Sequence, residues 1–75
     1  VILLRAFARY RDRLGFSRLE VPLPDPPTLA ALLEDPRLGG LPADALFAVN
    51  QAFAGRDAPL ADGDEVALMP PVSGG

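Results

Sequence analysis

The stretch EVALMPPVSGG, Glu65–Gly75, decides how the rest of the chain is read. Val66 and Leu68 alternate with Ala67 and Met69, so its first five residues predict a strand with two different faces. Pro70-Pro71 ends the ladder, because proline has no N–H to donate, and it favours an extended polyproline shape. Val72 and Ser73 then lead to Gly74 and Gly75, two residues without side chains. Such a segment is narrow enough to thread a tunnel that any Cβ would block, and glycine accepts whatever φ the tunnel imposes. The expected cargo is a terminal carboxylate on Gly75. A strand that feeds straight into such a tail needs a folded body to carry it.

Working outward, VILLRAFA (Val1–Ala8) is apolar, β-branched at its start and free of breakers, so it predicts a strand. In RYRDRLG (Arg9–Gly15), Tyr10 and Leu14 share a face and Gly15 stands where a helix C′ glycine would, which predicts a helix of two turns at most. RLEVPL (Arg18–Leu23) alternates Leu19, Val21 and Leu23 with polar residues, and Pro22 makes it an edge strand. Beyond the stiff PDPP (Pro24–Pro27), Thr28 is a plausible N-cap for TLAALLED, a longer helix with Leu29, Leu32 and Leu33 on one stripe and Pro36 as its stop. ALFAVN (Ala45–Asn50) predicts a strand, a tight turn follows, and Gln51–Ala54 offers a second short strand. Gly55–Asp64 reads as loop.

Strands and helices are interspersed, yet the crossovers are too few and too short for a doubly wound parallel sheet. The expected fold is therefore α+β: a small mixed sheet with one main helix across one face, which is a β-grasp arrangement. We assign residues 1–69 to this domain and residues 70–75 to an extended, flexible tail.

Side-chain parity on this fold exposes an anomaly. Ile2, Leu4 and Ala6 make a sensible core set in the first strand, so Val1, Leu3, Arg5 and Phe7 face away from the helix. That set is largely apolar, as is the Ala67–Met69 side of the last strand. With the two strands as neighbours, Leu3, Phe7 and Met69 are expected to form an exposed apolar patch, the mark of a partner-binding surface in a small monomer. Phe7 and Met69 are its strongest candidates, since aromatics and methionine are favoured at interface cores.

Composition removes several function classes. Seventy-five residues allow one modest core, and the absence of cysteine and histidine removes thiolate nucleophiles, the commonest general base and the commonest metal ligand. No metal site is expected: Asp62-Gly63-Asp64-Glu65 lacks the loop spacing and ligand number of an EF-hand and reads as a turn before a strand. That acidic cluster, with Asp57, is expected to assist docking on a basic partner. Asn50-Gln51 likewise reads as a turn. Ser17, Ser73, Thr28 and Tyr10 have no histidine or lysine to activate a hydroxyl, so no independent active site is expected. The net charge is −3 without a basic stripe, which argues against nucleic acid, and no long apolar run suggests a membrane span. The expected setting is cytoplasmic. All seven basic residues are arginine, so without lysine the chain would be only a donor in conjugation chemistry.

A carboxylate is a poor electrophile until adenylation by ATP gives it AMP as a leaving group. Attack by sulfide or a persulfide then leads to a thiocarboxylate, a good sulfur nucleophile, and Gly75 has no substituent to crowd the carbonyl. No Gly-rich phosphate loop followed by lysine is present, so ATP would be used by another protein and no cofactor is expected to be bound here.

FAVNQ (Phe47–Gln51), PLADGDEVALMPPVSGG (Pro59–Gly75) and FARYRDRLG (Phe7–Gly15) resemble the small subunit of molybdopterin synthase, a ubiquitin-like sulfur carrier. The resemblance runs from the first strand to the last residue, although Phe16 to about Asp44 agrees only in pattern. It implies that Gly75 is adenylated by a ubiquitin-activating-like enzyme, converted to a thiocarboxylate using a sulfur donor, and inserted with Pro70, Pro71, Val72, Ser73 and Gly74 into the large subunit. The assembly it implies is a heterotetramer that donates sulfur to cyclic pyranopterin monophosphate, two donations building the dithiolene. Phe7 and Met69 fall where that family contacts partners, while Leu68 and Met69 occupy places often aromatic in it. The alternatives are a sulfur carrier for thiamin or cysteine synthesis, whose tail usually lacks the PPVSGG lead-in, and a ubiquitin-like protein modifier.

Overall fold

The structure is a computed structural model that describes residues 1–71. Five strands form one sheet: β1 (Ile2–Ala6), β2 (Arg18–Val21), β3 (Leu46–Val49), β4 (Ala52–Ala54) and β5 (Glu65–Met69). Their order is β2-β1-β5-β3-β4. The central pair, β1 and β5, is parallel, and every other pair is antiparallel. This is the β-grasp arrangement, with α1 (Arg9–Leu14), α2 (Leu29–Leu32) and a 3-10 turn at Pro36–Leu38. No helix among the described residues is long and apolar enough to cross a membrane.

Local chemistry accounts for the element ends. Gly15 takes φ 84° and its N–H donates to the Arg11 carbonyl, the left-handed stop expected of a C′ glycine. Thr28 caps α2, its hydroxyl accepting from the Ala31 N–H at 3.2 Å. β2 lies at the sheet edge, where Pro22 requires it.

The helix expected from Thr28 to Asp35 is shorter than its leucine stripe suggested. Leu32 and Leu33 donate four residues back, but Glu34 and Asp35 donate only three back, to Ala31 and Leu32, so the last turn tightens. Pro36 disfavours the α region for the residue before it, and Asp35 sits accordingly at φ −60°, ψ 128°. The Asp35 side chain then caps the 3-10 turn, accepting from the Arg37 N–H at 2.9 Å.

One sheet face carries the core. Ile2, Leu4, Val66 and Leu68 are fully buried there against Tyr10, Leu29 and Leu32. The loop that follows β4 joins this side: Leu60 is buried in the same core, and Leu29 and Ala30 donate to the Ala58 and Arg56 carbonyls. Those bonds satisfy N–H groups that the start of α2 would otherwise leave without partners. The loop thus packs on the helix side of the sheet.

Candidate interaction face

The other side of the sheet is assembled by register. Leu3, Arg5 and Phe7 alternate with the core residues of β1, and Glu65, Ala67 and Met69 do so in β5. Arg5 stands beside Ala67, Ala67 beside Ala48, and Met69 beside Leu46. Asn50 and Gln51, at φ 50° and 72°, form a two-residue connection of the kind whose twist matches a hairpin. That turn pairs Ala48 with Phe53 and so brings the Phe53 ring onto the same face.

Phe7, Phe53, Met69, Ala48 and Ala67 line a cavity of about 270 Å³, closed at its polar end by Arg5, Glu65 and Gln51. Phe7 is 37% exposed and Phe53 78%, a large area of aromatic surface in contact with water. A second, open depression of about 480 Å³ begins on the far side of Phe53 and runs along Leu46, Phe47 and Arg56. Apolar surface therefore extends from β1 to the β4 edge.

Charge frames one end of this strip. The Arg5 guanidinium lies 5.2 Å from the Phe7 ring centroid, within cation–π range, while its Nη1 donates to Glu65 Oε2 at 3.2 Å. Arg5 is thus held between an aromatic ring and a carboxylate.

Leu3 shares the face but does not line the cavity. It sits two residues back along β1, flanked by Glu20 of β2 and Glu65 of β5. Phe7 and Met69 line the cavity together, and Phe53 is the residue that sequence reasoning missed. Its signal was present in the two-residue turn, which fixes the register that places Phe53 beside Ala48.

The end of β5 adjoins the cavity. The Phe7 N–H donates to the Leu68 carbonyl at 3.1 Å, one residue before Met69, and half-buried Pro70 and Pro71 follow. Phe7 also opens a tight turn, closed by the Tyr10 N–H donating to its carbonyl at 3.1 Å. Ala8 in that turn holds φ 53°, ψ −132°, a backbone conformation that suits glycine. Val72, Ser73, Gly74 and Gly75 lie outside the described residues.

At the opposite end of β5, the acidic turn is tied to the β3–β4 turn. Asp64 accepts from Asn50 Nδ2 at 2.9 Å and from the Ala61 N–H at 2.8 Å, and Asn50 Oδ1 accepts from the Glu65 N–H at 3.0 Å. The Asn50 bond, and then the Ala61 bond, hold the Asp64 carboxyl below its ordinary range because both favour the charged form. Asp64 is a structural staple in this arrangement, and Asn50-Gln51 a turn.

The chain belongs to the ThiS family, which matches residues 4–75. It is 41% identical to the molybdopterin synthase sulfur carrier subunit of Escherichia coli K12 over an alignment that covers 92% of this chain and 93% of that protein. Among solved structures it is similar to a putative molybdopterin converting factor subunit 1 from Pyrococcus furiosus, at 28% identity and a TM-score of 0.83, covering 95% of this chain and 97% of that one. It is also similar to small archaeal modifier protein 1 of Haloferax volcanii, at 27% identity and a TM-score of 0.67, covering 95% and 97% of the two chains.

Proposed function

We propose that this chain is the sulfur-carrying small subunit of a molybdopterin synthase. The observation that carries the proposal is the adjacency of an apolar docking face to the strand that runs into PPVSGG. The Phe7–Phe53–Met69 cavity would be covered by the large subunit, and residues 70–75 would enter that subunit's active site. The identity to the Escherichia coli carrier over nearly the whole chain supports the same reading.

In this proposal the chemistry begins at Gly75. Its carboxylate attacks the α-phosphorus of ATP on a ubiquitin-activating-like enzyme, pyrophosphate leaves, and an acyl adenylate forms. Sulfide then displaces AMP; a persulfide displaces it to give an acyl disulfide, whose S–S bond a thiol then cleaves, leaving the thiocarboxylate and a disulfide. The product is a thiocarboxylate, whose sulfur bonds to a carbon of cyclic pyranopterin monophosphate inside the large subunit as the oxygen substituent on that carbon leaves. Hydrolysis of the resulting thioester leaves sulfur on the pterin and restores the Gly75 carboxylate. The folded domain supplies docking and reach, while both partners supply the catalytic groups.

The test is the intact mass of the protein after incubation with ATP, a sulfur donor and its activating enzyme. A gain equal to one oxygen exchanged for sulfur, mapped to Gly75, is expected. Deleting Gly75, or adding one residue after it, should abolish sulfur transfer and leave the fold intact. Normal transfer by either variant would overturn the proposal.

The similarity to small archaeal modifier protein 1 favours a second reading, conjugation through Gly75 to lysines of other proteins. That reading predicts higher-mass adducts in cells that disappear when Gly75 is deleted.

A further inference from the structure

β1 and β2 place two arginines directly opposite each other. Arg5 pairs with Arg18 across the antiparallel ladder, and both side chains stand on the open face. The backbone N–H of Phe7 donates to Leu68 of β5 and that of Leu3 to Asp64 just before it, whereas that of Ala6 donates to Ser17 beside β2. By alternation, Arg5 and Arg18 form a non-hydrogen-bonded pair, the kind that brings side chains closest. Like charges opposite one another in this way destabilise a sheet.

The local carboxylates do not resolve the juxtaposition. Glu65 pairs with Arg5 through a single contact at 3.2 Å, which leaves the other guanidinium N–H groups of Arg5 available. Glu20 shares the face, opposite Leu3, but forms no ion pair with Arg18. Arg18 is exposed and has no ion pair or side-chain hydrogen bond among the described residues. Arg5 lines the apolar cavity and stacks on Phe7, and Arg18 stands across the ladder from Arg5, one strand further from the cavity. A protein seated on Phe7 and Met69 would strip water from them, and guanidinium donors that lose water without gaining acceptors oppose binding.

We propose that Arg5 and Arg18 together form a carboxylate site, which takes an aspartate or glutamate of the protein that docks over the Phe7–Phe53–Met69 cavity. Two arginines at directly opposed positions of neighbouring strands offer the N–H donors that a carboxylate accepts in bidentate fashion. The arriving charge also cancels the repulsion between the arginines, so the site gives specificity to an otherwise apolar contact. The inference rests on the reading that the large synthase subunit covers this face.

The test is the affinity of the full chain for the purified large subunit at low and high ionic strength, with Arg18→Ala and, as a remote control, Arg37→Ala. Arg18→Ala should lose about tenfold in affinity at low salt and show a flatter salt dependence, with a melting temperature no lower than the parent's. Arg37→Ala should bind as the parent does. Arg18→Glu should bind more weakly still, and charge reversal of the facing carboxylate on the large subunit should restore binding. Parental affinity and salt dependence in Arg18→Ala would overturn the carboxylate site. Failure of the unsubstituted chain to bind the large subunit would overturn the partner assignment, and this inference with it.

Discussion

The backbone of Phe7 is hydrogen-bonded to that of Leu68 at 3.1 Å, so the aromatic of the open face is fixed to the strand that precedes the sequence PPVSGG. A partner that grips the Phe7 ring thereby holds the root of PPVSGG. Phe7→Ala should weaken binding of the large subunit by tenfold or more, about 1.4 kcal/mol, because a partly buried ring at an interface core is removed. The ring is 37% exposed in the free chain, so the loss of folding stability should be smaller. Titration calorimetry and thermal denaturation of the same variant check both; a large stability loss with unchanged binding would assign Phe7 to the core.

Phe53 gives a sharper separation. At 78% exposure it contributes little burial to the fold, yet it borders both apolar depressions. Phe53→Ala should change stability by no more than about 0.5 kcal/mol and reduce partner affinity several-fold. Binding equal to the parent's would restrict the docking area to the β1–β5 side.

The turn at Ala8 stores strain that a substitution can release. Glycine at φ 53°, ψ −132° avoids the clash of a Cβ, although it loses more backbone entropy on folding. Since Ala8 is exposed, little packing is lost. Ala8→Gly is expected to raise stability by about 1 kcal/mol, read from the urea midpoint, and to weaken the partner complex if the strain orients Phe7. A fall in the midpoint would show that Ala8 is not strained.

Asp64 predicts part of the acid response. Its folded pKa is depressed by the Asn50 and Ala61 hydrogen bonds, so the carboxylate contributes stability above the unfolded value of about 3.9. That contribution is lost as pH falls through the folded value. Asp35 acts in the same direction through Arg37. Asp64→Ala should therefore be less stable than the parent at neutral pH, with the two curves converging in acid. A constant gap between pH 7 and pH 3 would show that the Asp64 charge contributes nothing.

The sheet and its two faces were legible because alternation in β1 and β5 is a period-two signal that burial follows residue by residue. Thr28 and Gly15 marked helix ends by their own chemistry. Two features were harder to read. The length of α2 depended on how far Pro36 reaches back into the turn before it, which a leucine stripe does not reveal. The Phe53 and Arg18 positions depended on cross-strand register, since a strand of three or four residues does not announce which neighbour each side chain meets. Parity alone groups Leu3 with Phe7 and Met69, whereas its register sets it between Glu20 and Glu65.

The parallel pair at the centre of the sheet has a consequence for biogenesis. β1 and β5 are the first and last strands of the described fold, and Arg5 and Glu65 meet across 60 positions of chain. Contacts of such sequence separation form late and slowly. On the ribosome, β1 can pair with β2 early, but its other edge must wait until β5 has emerged. A chain truncated before β5 therefore has no central strand to close its sheet, and would be cleared as unfolded rather than compete for partners. Only a completed carrier would present the face from which the tail departs.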